Sequence, residues 1–435
     1  MASWAPAMWT PSANAPSRVD RRGGEYATYS PDGLVERPLG LQADVAELAW
    51  RVEKSVRRLG ELPGAGGLEG LARFLLRSEA IASSRIEGLQ VSPQQVGLAE
   101  VAEEESLTAE SVNRTARKVA ANINALRRAT HEFARGDQLE LVGVEQLQSL
   151  LLSEEPHLHG VRHVQNWIGG SNHNPMDAEF VPPAPALVET LMRDLVQYMN
   201  RGDHAPLVQA GLVHAQFETI HPFKDGNGRV GRALIHSVLV RRGLTRQAVL
   251  PISPVLLTRS EEYVRGLTEY RYVGDGSADQ SRRAVSAWLR VFLQAVAISV
   301  TQAEEFASSL DELRLRWEQD VAGNRRRQSL REVPRSDSAS SRILATLQEH
   351  PVLTTASVMR LFEVSRPAAG AALDELAAAG VLSKRRLDRR TSGYLAMDVF
   401  QLITFAERRL ASTRWDTESG KPVRAVPYPP ADQIG

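Results

Sequence analysis

At 435 residues, with 43% hydrophobic and 24% charged side chains, the chain has the composition of an ordinary globular protein and the length for two or three domains. Lys+Arg and Asp+Glu both number 52, so no global field draws it toward nucleic acid or anionic lipid. It contains no Cys, which excludes disulfides, thiolate catalysis and Cys-ligated metal.

No apolar run approaches the length of a membrane span. Met1 to Gly24 lacks the charged start and apolar stretch of a secretion signal, so the expectation is a cytoplasmic protein without a membrane partner. Residues 1–40 are rich in Pro and Gly and read as an irregular arm. A helical region over 41–110 follows, with Val45, Leu48, Val52 and Val56 at helical spacing. Its second helix runs from about Leu68 to Glu87 and stops at Gly88. A core over 111–300 has helices at 107–135, 140–153, 185–201 and 206–219. Between them Gly160 to Pro183 is rich in Gly, Asn and Pro, with a short β-like piece at Val161–Ile168. One or two long helices span Ala284 to Gln328, and residues 301–340 read as a helical linker. A compact unit (341–404) and an unstructured tail (405–435) complete a mainly α architecture.

Twelve residues, His221-Pro222-Phe223-Lys224-Asp225-Gly226-Asn227-Gly228-Arg229-Val230-Gly231-Arg232, concentrate the chemistry. Helical patterning before His221 and after Arg229 makes this a loop feeding a helix N-terminus, where unpaired N–H groups and the positive dipole end favour an anion. Gly226 and Gly228 let backbone approach phosphate oxygens closely. Arg229 and Arg232, three apart, project from one helical face and can clamp different phosphates. Asp225 is placed to hold a Mg²⁺ that bridges phosphates. The unperturbed imidazole has a pKa near neutrality, which suits His221 to proton removal from a hydroxyl. The parts describe attack by a hydroxyl on a nucleotide phosphate.

Two other patterns overlap this stretch. Gly226-x-Gly228-x-x-Gly231 matches the dinucleotide fingerprint, but a helix precedes it and residues 246–252 carry no acid. Glu218-x-x-His221 is half of a di-iron motif, whose only second copy, Glu154-x-x-His157, contains Pro156. Neither reading stands.

The twelve residues resemble the Fic family signature, His-Pro-Phe-x-(Asp/Glu)-Gly-Asn-Gly-Arg-x-x-Arg, at every defined position. The resemblance covers about 40 to 300 and implies a Fic helical core with a small β-hairpin flap. It implies His221 as catalytic base, Asp225 as Mg²⁺ ligand, and Gly226, Asn227 and Gly228 as anion hole. Arg229, Gly231 and Arg232 would complete the nucleotide site. The implied reaction is AMP transfer from ATP to a Ser, Thr or Tyr hydroxyl of a protein, self-modification included. Retention of Gly228, where kinase-like relatives carry Lys, argues for nucleotidyl transfer. Ser83-Ser84-Arg85-Ile86-Glu87-Gly88 resembles the family's inhibitory motif, in which Ser83, Glu87 and Gly88 occupy the defined positions and the glutamate pairs with the second arginine, here Arg232. Asn166-Trp167-Ile168-Gly169 resembles the flap over nucleotide and target. Tyr263, after Glu262, stands where relatives carry a Tyr-Tyr pair near the adenine pocket.

Residues 341–396 read as a winged helix-turn-helix, with a basic hairpin Lys384-Arg385-Arg386-Leu387-Asp388-Arg389-Arg390. Its recognition helix is Ala-rich, with Arg366 as sole cation beside Asp374 and Glu375, so DNA binding through 341–404 competes with a docking or homodimer role. The leading reading is an autoinhibited protein adenylyltransferase. The alternative is a DNA-binding regulator whose Fic domain senses nucleotide or modifies a bound partner.

Overall fold

The computed structural model describes residues 1–11, 15–60, 68–107, 112–245, 249–388 and 391–412. In chain order the elements are β1 (Ser3–Trp9), β2 (Gly24–Ser30), α1 (Ala43–Leu59), α2 (Leu68–Ile86), α3 (Pro93–Glu104), α4 (Arg114–His131), α5 (Leu141–Leu151) and α6 (Pro185–Met199). Then come α7 (Pro206–Ile220), α8 (Asn227–Arg241), α9 (Ile252–Thr258), α10 (Ser260–Tyr270), α11 (Asp279–Arg327) and α12 (Ala339–Thr346). The chain continues through β3 (Val352–Leu353), α13 (Thr355–Phe362), α14 (Arg366–Ala378), β4 (Ser383–Arg386), β5 (Ser392–Leu395) and α15 (Met397–Ser412). The described fold is mainly α, as expected.

The chain divides into two compact units. The first comprises Met1–Arg57, Asn124–Arg246 and Arg259–Val296; the second comprises Arg58–Ile123, Gln247–Thr258 and Ala297–Gly435. In the first unit α7 is the central helix: every residue from Leu207 to Ile220 is buried. A helix enclosed on all sides must satisfy its polar groups internally. Gln209 Nε2 donates to the carbonyls of Tyr198 (2.8 Å) and Arg201 (2.9 Å). Gln216 Oε1 accepts from the Tyr270 hydroxyl at 3.0 Å, and Thr219 Oγ1 donates to Ala215 O at 2.7 Å. Trp288 of α11 donates its indole N–H to Gly211 O at 2.8 Å.

Two sequence expectations change here. Residues 1–40 are not an irregular arm: β1 and β2 pair antiparallel from Ser3↔Ser30 to Trp9↔Gly24. Helix α11 also holds an 18-residue window of mean hydropathy 1.5, which by length and composition could cross a membrane; 67% of that window is buried in the protein, as in a core helix. The helix is continuous over 49 residues, so the stretch expected as one or two helices is one.

In the second unit, Glu79 of α2 accepts from Ser253 N at the start of α9 (2.7 Å) and from its hydroxyl (2.5 Å). Leu98, Ala99 and Val101 of α3 and Ala116 and Ala120 of α4 share a core with Val352, Leu387, Leu395 and Phe400. Strands β3, β5 and β4 form one sheet in that order, with β5 antiparallel to both neighbours. Thr354 and Ser357 form a reciprocal capping box at α13, and the Ser365 hydroxyl accepts from Ala368 N at α14. Arg389 and Arg390 lie outside the described residues. So does the tail beyond Ser412, whereas 405–412 complete α15.

Candidate active site

The site is built where α7 ends and α8 begins. His221 closes α7 in the left-handed region (φ 49°, ψ 60°), a conformation a side chain with Cβ adopts only when its surroundings impose it. Here they do. Its N–H stays bonded to Phe217 O at 2.8 Å, while its carbonyl accepts from Arg162 Nε (2.9 Å) and Asn166 Nδ2 (3.3 Å).

Arg162 is fully buried and spends its guanidinium on backbone carbonyls. Besides His221 O it donates to Pro183 O (2.6 Å), Val164 O (3.2 Å) and Ile220 O (3.4 Å). Burial brings its pKa down to about 10, so it is still a cation at neutral pH, placed at the negative end of the α7 dipole. Its own N–H donates to Pro222 O at 2.9 Å, and Val161 bridges Phe223.

The turn beyond is stapled by Asn227. Its Oδ1 accepts from Phe223 N and its Nδ2 donates to Phe223 O, both at 2.9 Å. The Asn227 side chain is thus committed to the scaffold. Gly226 precedes α8 at φ 85°, and a Cβ there would lie 2.9 Å from Leu151 Cδ2, so glycine meets both constraints. The first bond within the helix is Val230 N to Gly226 O at 3.0 Å. The helix ladder therefore offers no acceptor to the N–H groups of Asn227 and Gly228. Arg229 and Arg232 are both buried. Asp225 is half exposed; its Oδ1 accepts from Gly226 N at 2.6 Å and lies 3.6 Å from Arg229 Nη2.

Gly231 has a packing role. A Cβ at that position would sit 2.6 Å from Glu218 Oε1, 3.0 Å from Phe217 Cδ1 and 3.2 Å from His214 Nδ1. Glu218, which the motif does not include, lies one turn before His221, with Oε2 3.9 Å from His221 Nδ1. Its charge also pulls upward on Arg271, whose pKa burial nevertheless brings down to about 10. Arg271 in turn covers the Phe180 ring at 3.4 Å.

The flap segment forms a short hairpin in which Ile168 pairs with Phe180. Gly169 and Gly170, both at positive φ, turn it. Asn166 serves the scaffold: its amide also donates to Phe223 O at 3.0 Å. Trp167 donates its indole N–H to Ser171 O at 2.7 Å. Tyr263, expected at the adenine pocket, is buried in the first unit. It is 5% exposed, and its hydroxyl pairs at 2.8 Å with Nε2 of fully buried His214. Ser83, Glu87 and Gly88 belong to the second unit. There Gly88 at φ 80° ends α2, with Leu89 N donating to Ser84 O and Gly88 N to Arg85 O. Buried Ser84 accepts from Asn122 Nδ2 at 3.1 Å, and Arg85 pairs with Glu407 of α15.

A cleft of about 1040 Å³ in the first unit is lined by Leu141, Glu145, His159, Arg162 and Glu189, and of the motif only Lys224 borders it. The other motif residues gather at the α7–α8 junction, not there. Sequence reasoning passed over Arg162 and Gln148, whose Nε2 donates to Leu158 O (2.9 Å) and Asp225 O (3.3 Å). It met Glu218 only as half of a metal motif.

Residues 138–239 match the Fic/DOC family, a span that takes in the motif and the flap. Residues 51–131, which include Ser83 to Gly88, match the Fic/DOC family N-terminal region. A probable protein adenylyltransferase of Aquifex aeolicus is 31% identical over 205 residues, 46% of this chain and 57% of that protein. Protein adenylyltransferase fic-1 of Caenorhabditis briggsae is 29% identical over 146 residues, 33% of this chain and 25% of that protein. The chain thus spans a little over half of the first relative and a quarter of the second. A solved Fic family protein of Desulfovibrio desulfuricans G20 is 19% identical with a TM-score of 0.49, over 83% of this chain and 98% of that one.

Proposed function

We propose that the chain, which matches the Fic/DOC family over residues 138–239 and the family's N-terminal region over 51–131, is a cytoplasmic protein adenylyltransferase that moves AMP from ATP to a hydroxyl side chain of a protein. The observation that carries this reading is the α7–α8 junction, where Arg162, Asn166 and Asn227 hold His221 and the start of α8 in one rigid loop. His221 takes the proton of the incoming Ser, Thr or Tyr hydroxyl as its oxygen attacks the α-phosphorus. The new O–P bond forms as the bond to the bridging oxygen breaks, and pyrophosphate leaves. The N–H groups at the start of α8, with Arg229 and Arg232, hold the phosphates and offset the charge that develops on them.

Asp225 supports a Mg²⁺ site. It is a half-exposed carboxylate beside the phosphate-binding turn, and Mg²⁺ in nucleotide sites takes one or two carboxylates with phosphate and water for the rest. Bound there, Mg²⁺ would supply charge neutralisation across neighbouring phosphates. Glu87 is proposed to restrain the enzyme by competing with the terminal phosphate for Arg232, since a carboxylate on the guanidinium both occupies its donors and repels phosphate.

Incubation with labelled ATP and Mg²⁺ tests the reading. Wild type should label itself weakly, Glu87→Gly at least tenfold more, and His221→Ala not at all. Asp225→Ala should lose transfer at every Mg²⁺ concentration. Equal labelling by Glu87→Gly and wild type would remove the autoinhibition claim, and labelling by His221→Ala would remove the proposed base.

A second reading, DNA contact through a winged helix-turn-helix at 341–404, gains from one observation. The acids that dilute the basic face are engaged within the unit: Asp374 accepts from Lys384 (3.0 Å) and Tyr394 (2.8 Å), and Glu375 is held by Arg325 and Ser340. Exposed Arg366 and Arg385 would then meet phosphates. Salt-dependent duplex binding by the full chain, lost in Arg366→Glu/Arg385→Glu, is the expected result; no binding at low salt would exclude it.

A further inference from the structure

We infer that the amino-terminal hairpin β1–β2 is a strut that sets the flap, with Trp9, Asp20 and Arg22 as positioning residues for the protein target. The flap cannot hold itself. Its two arms share one backbone bridge, Ile168 with Phe180, and eleven residues with two positive-φ glycines connect them. A two-stranded hairpin needs packing on one face to be stable in water, and far more than one bridge.

The strut supplies that packing at three levels. Tyr29 N donates to Val181 O at 3.0 Å, a direct backbone bond from β2 to the second arm of the flap. Trp4 and Tyr29 pack their rings on Phe180, each at 6.2 Å between centroids, and Trp9 meets Trp167 edge-on at 5.2 Å. Polar contacts then hold the connection between the arms. Ser171 Oγ donates to Asp20 Oδ1 at 2.7 Å, buried Asn174 donates to the carbonyls of Val19 (3.0 Å) and Asp20 (3.1 Å), and Arg22 pairs with Asp177. The hydroxyls of Ser17 and Ser171 hold the Asp20 carboxyl below the ordinary carboxylate range, so it is an acceptor at neutral pH.

The other end of the strut is anchored to the body of the first unit. Ala2 and Gly274 exchange both backbone bonds (3.0 and 2.8 Å), and the Tyr29 hydroxyl donates to Tyr272 O at 2.6 Å. The load path therefore runs from residues 272–274 through β1 and β2 to the flap. It fixes the arm Asn166–Ile168, whose edge away from Phe180 is where an extended target segment would add as a strand. That last step rests on the adenylyltransferase reading; the strut itself does not.

Hydrogen exchange of the full chain, followed by mass spectrometry, tests the strut. In Trp9→Ala and in Asp20→Ala/Arg22→Ala, amides of Ile168, Glu179 and Phe180 should exchange at least tenfold faster, while α7 stays as protected as in wild type. Trp9→Phe should keep both within twofold. In a Glu87→Gly background with labelled ATP, Trp9→Ala should lower incorporation into protein at least fivefold, and Trp9→Phe should restore it. Unchanged flap exchange in both loosening variants would overturn the strut. Faster exchange with undiminished incorporation would overturn its role in target positioning. Failure of Glu87→Gly itself to incorporate label would count against adenylyl transfer, and the exchange result would still decide the strut.

Discussion

Arg162 shows how a single side chain outside the motif sets the motif's geometry. A guanidinium is one of the few groups that can donate to several carbonyls at once from a fixed plane, and here four carbonyls from three chain segments converge on it. Lysine has three donors on a flexible stem and a more strongly hydrated charge, so it satisfies fewer of these carbonyls at greater desolvation cost. Arg162→Lys should therefore lose about 1–3 kcal/mol of stability, the cost of leaving buried carbonyls short of a donor. Urea unfolding at neutral pH would measure it. Because the carbonyl of His221 is among those released, transfer activity should fall further than stability accounts for, visible as reduced labelling at a temperature where the variant is fully folded. None of this could be read from the sequence. The contacts are to backbone carbonyls, two of them 58 and 59 residues away, and backbone carries no sequence signal. The motif itself was legible because its chemistry lies in side-chain types at short spacing, from His221 to Arg232.

At the level of elements, the packing of α7 against α8 turns on Gly231, where α8 comes close enough for Glu218, Phe217 and His214 to touch its backbone. Gly231→Ala raises helix propensity but drives a methyl into three buried side chains; overpacking of this kind costs about 1–3 kcal/mol, more than the gain of about 1 kcal/mol from replacing glycine in a helix. The expected net outcome is a lowered unfolding midpoint together with weaker labelling, since Glu218 and His221 share the displaced turn. An unchanged midpoint would show that Glu218 swings aside at no cost. The same scale explains which elements escaped sequence reading. β1, Ser-Trp-Ala-Pro-Ala-Met-Trp, has Pro6 in its middle and little two-residue alternation, because most of its residues keep substantial exposure whichever face they occupy. What makes it a strand is pairing with β2 and packing on Phe180 and Trp167, both distant in sequence. Helix α9 is seven residues long with Pro254 inside, too short for a periodic signal, and forms against α2 with Glu79 capping its start. The stretch 107–135, expected as one helix, yields α4 from Arg114 to His131 and then a 3-10 turn at Phe133–Arg135. Long amphipathic helices were legible; elements defined by their neighbours were not.

Across the whole molecule, each compact unit holds a histidine that its surroundings keep neutral, fully buried His214 in one and partly exposed His350 in the other. His214 in the first unit is pushed down to about 3 by burial, with Arg232 adding to the effect. His350 in the second is pushed down to about 4 by burial, then by Arg73 and Arg77. Unfolded, both would titrate near 6.5. Below that pH the unfolded chain takes up protons that the folded chain refuses, so stability is fully present above about 6.5 and declines as pH falls, by up to about 1.4 kcal/mol per pH unit for each histidine. The decline from His350 ends near 4 and that from His214 near 3. Thermal unfolding between pH 7 and 4 should therefore show midpoints falling together for both units. His350→Gln should flatten the fall for the second unit alone, and His214→Gln for the first, provided each transition is followed by exchange at its own helices, α7 for one and α2 for the other. If both substitutions leave the pH dependence unchanged, the acid response lies with other groups, and the histidines are not the titrating elements of their cores.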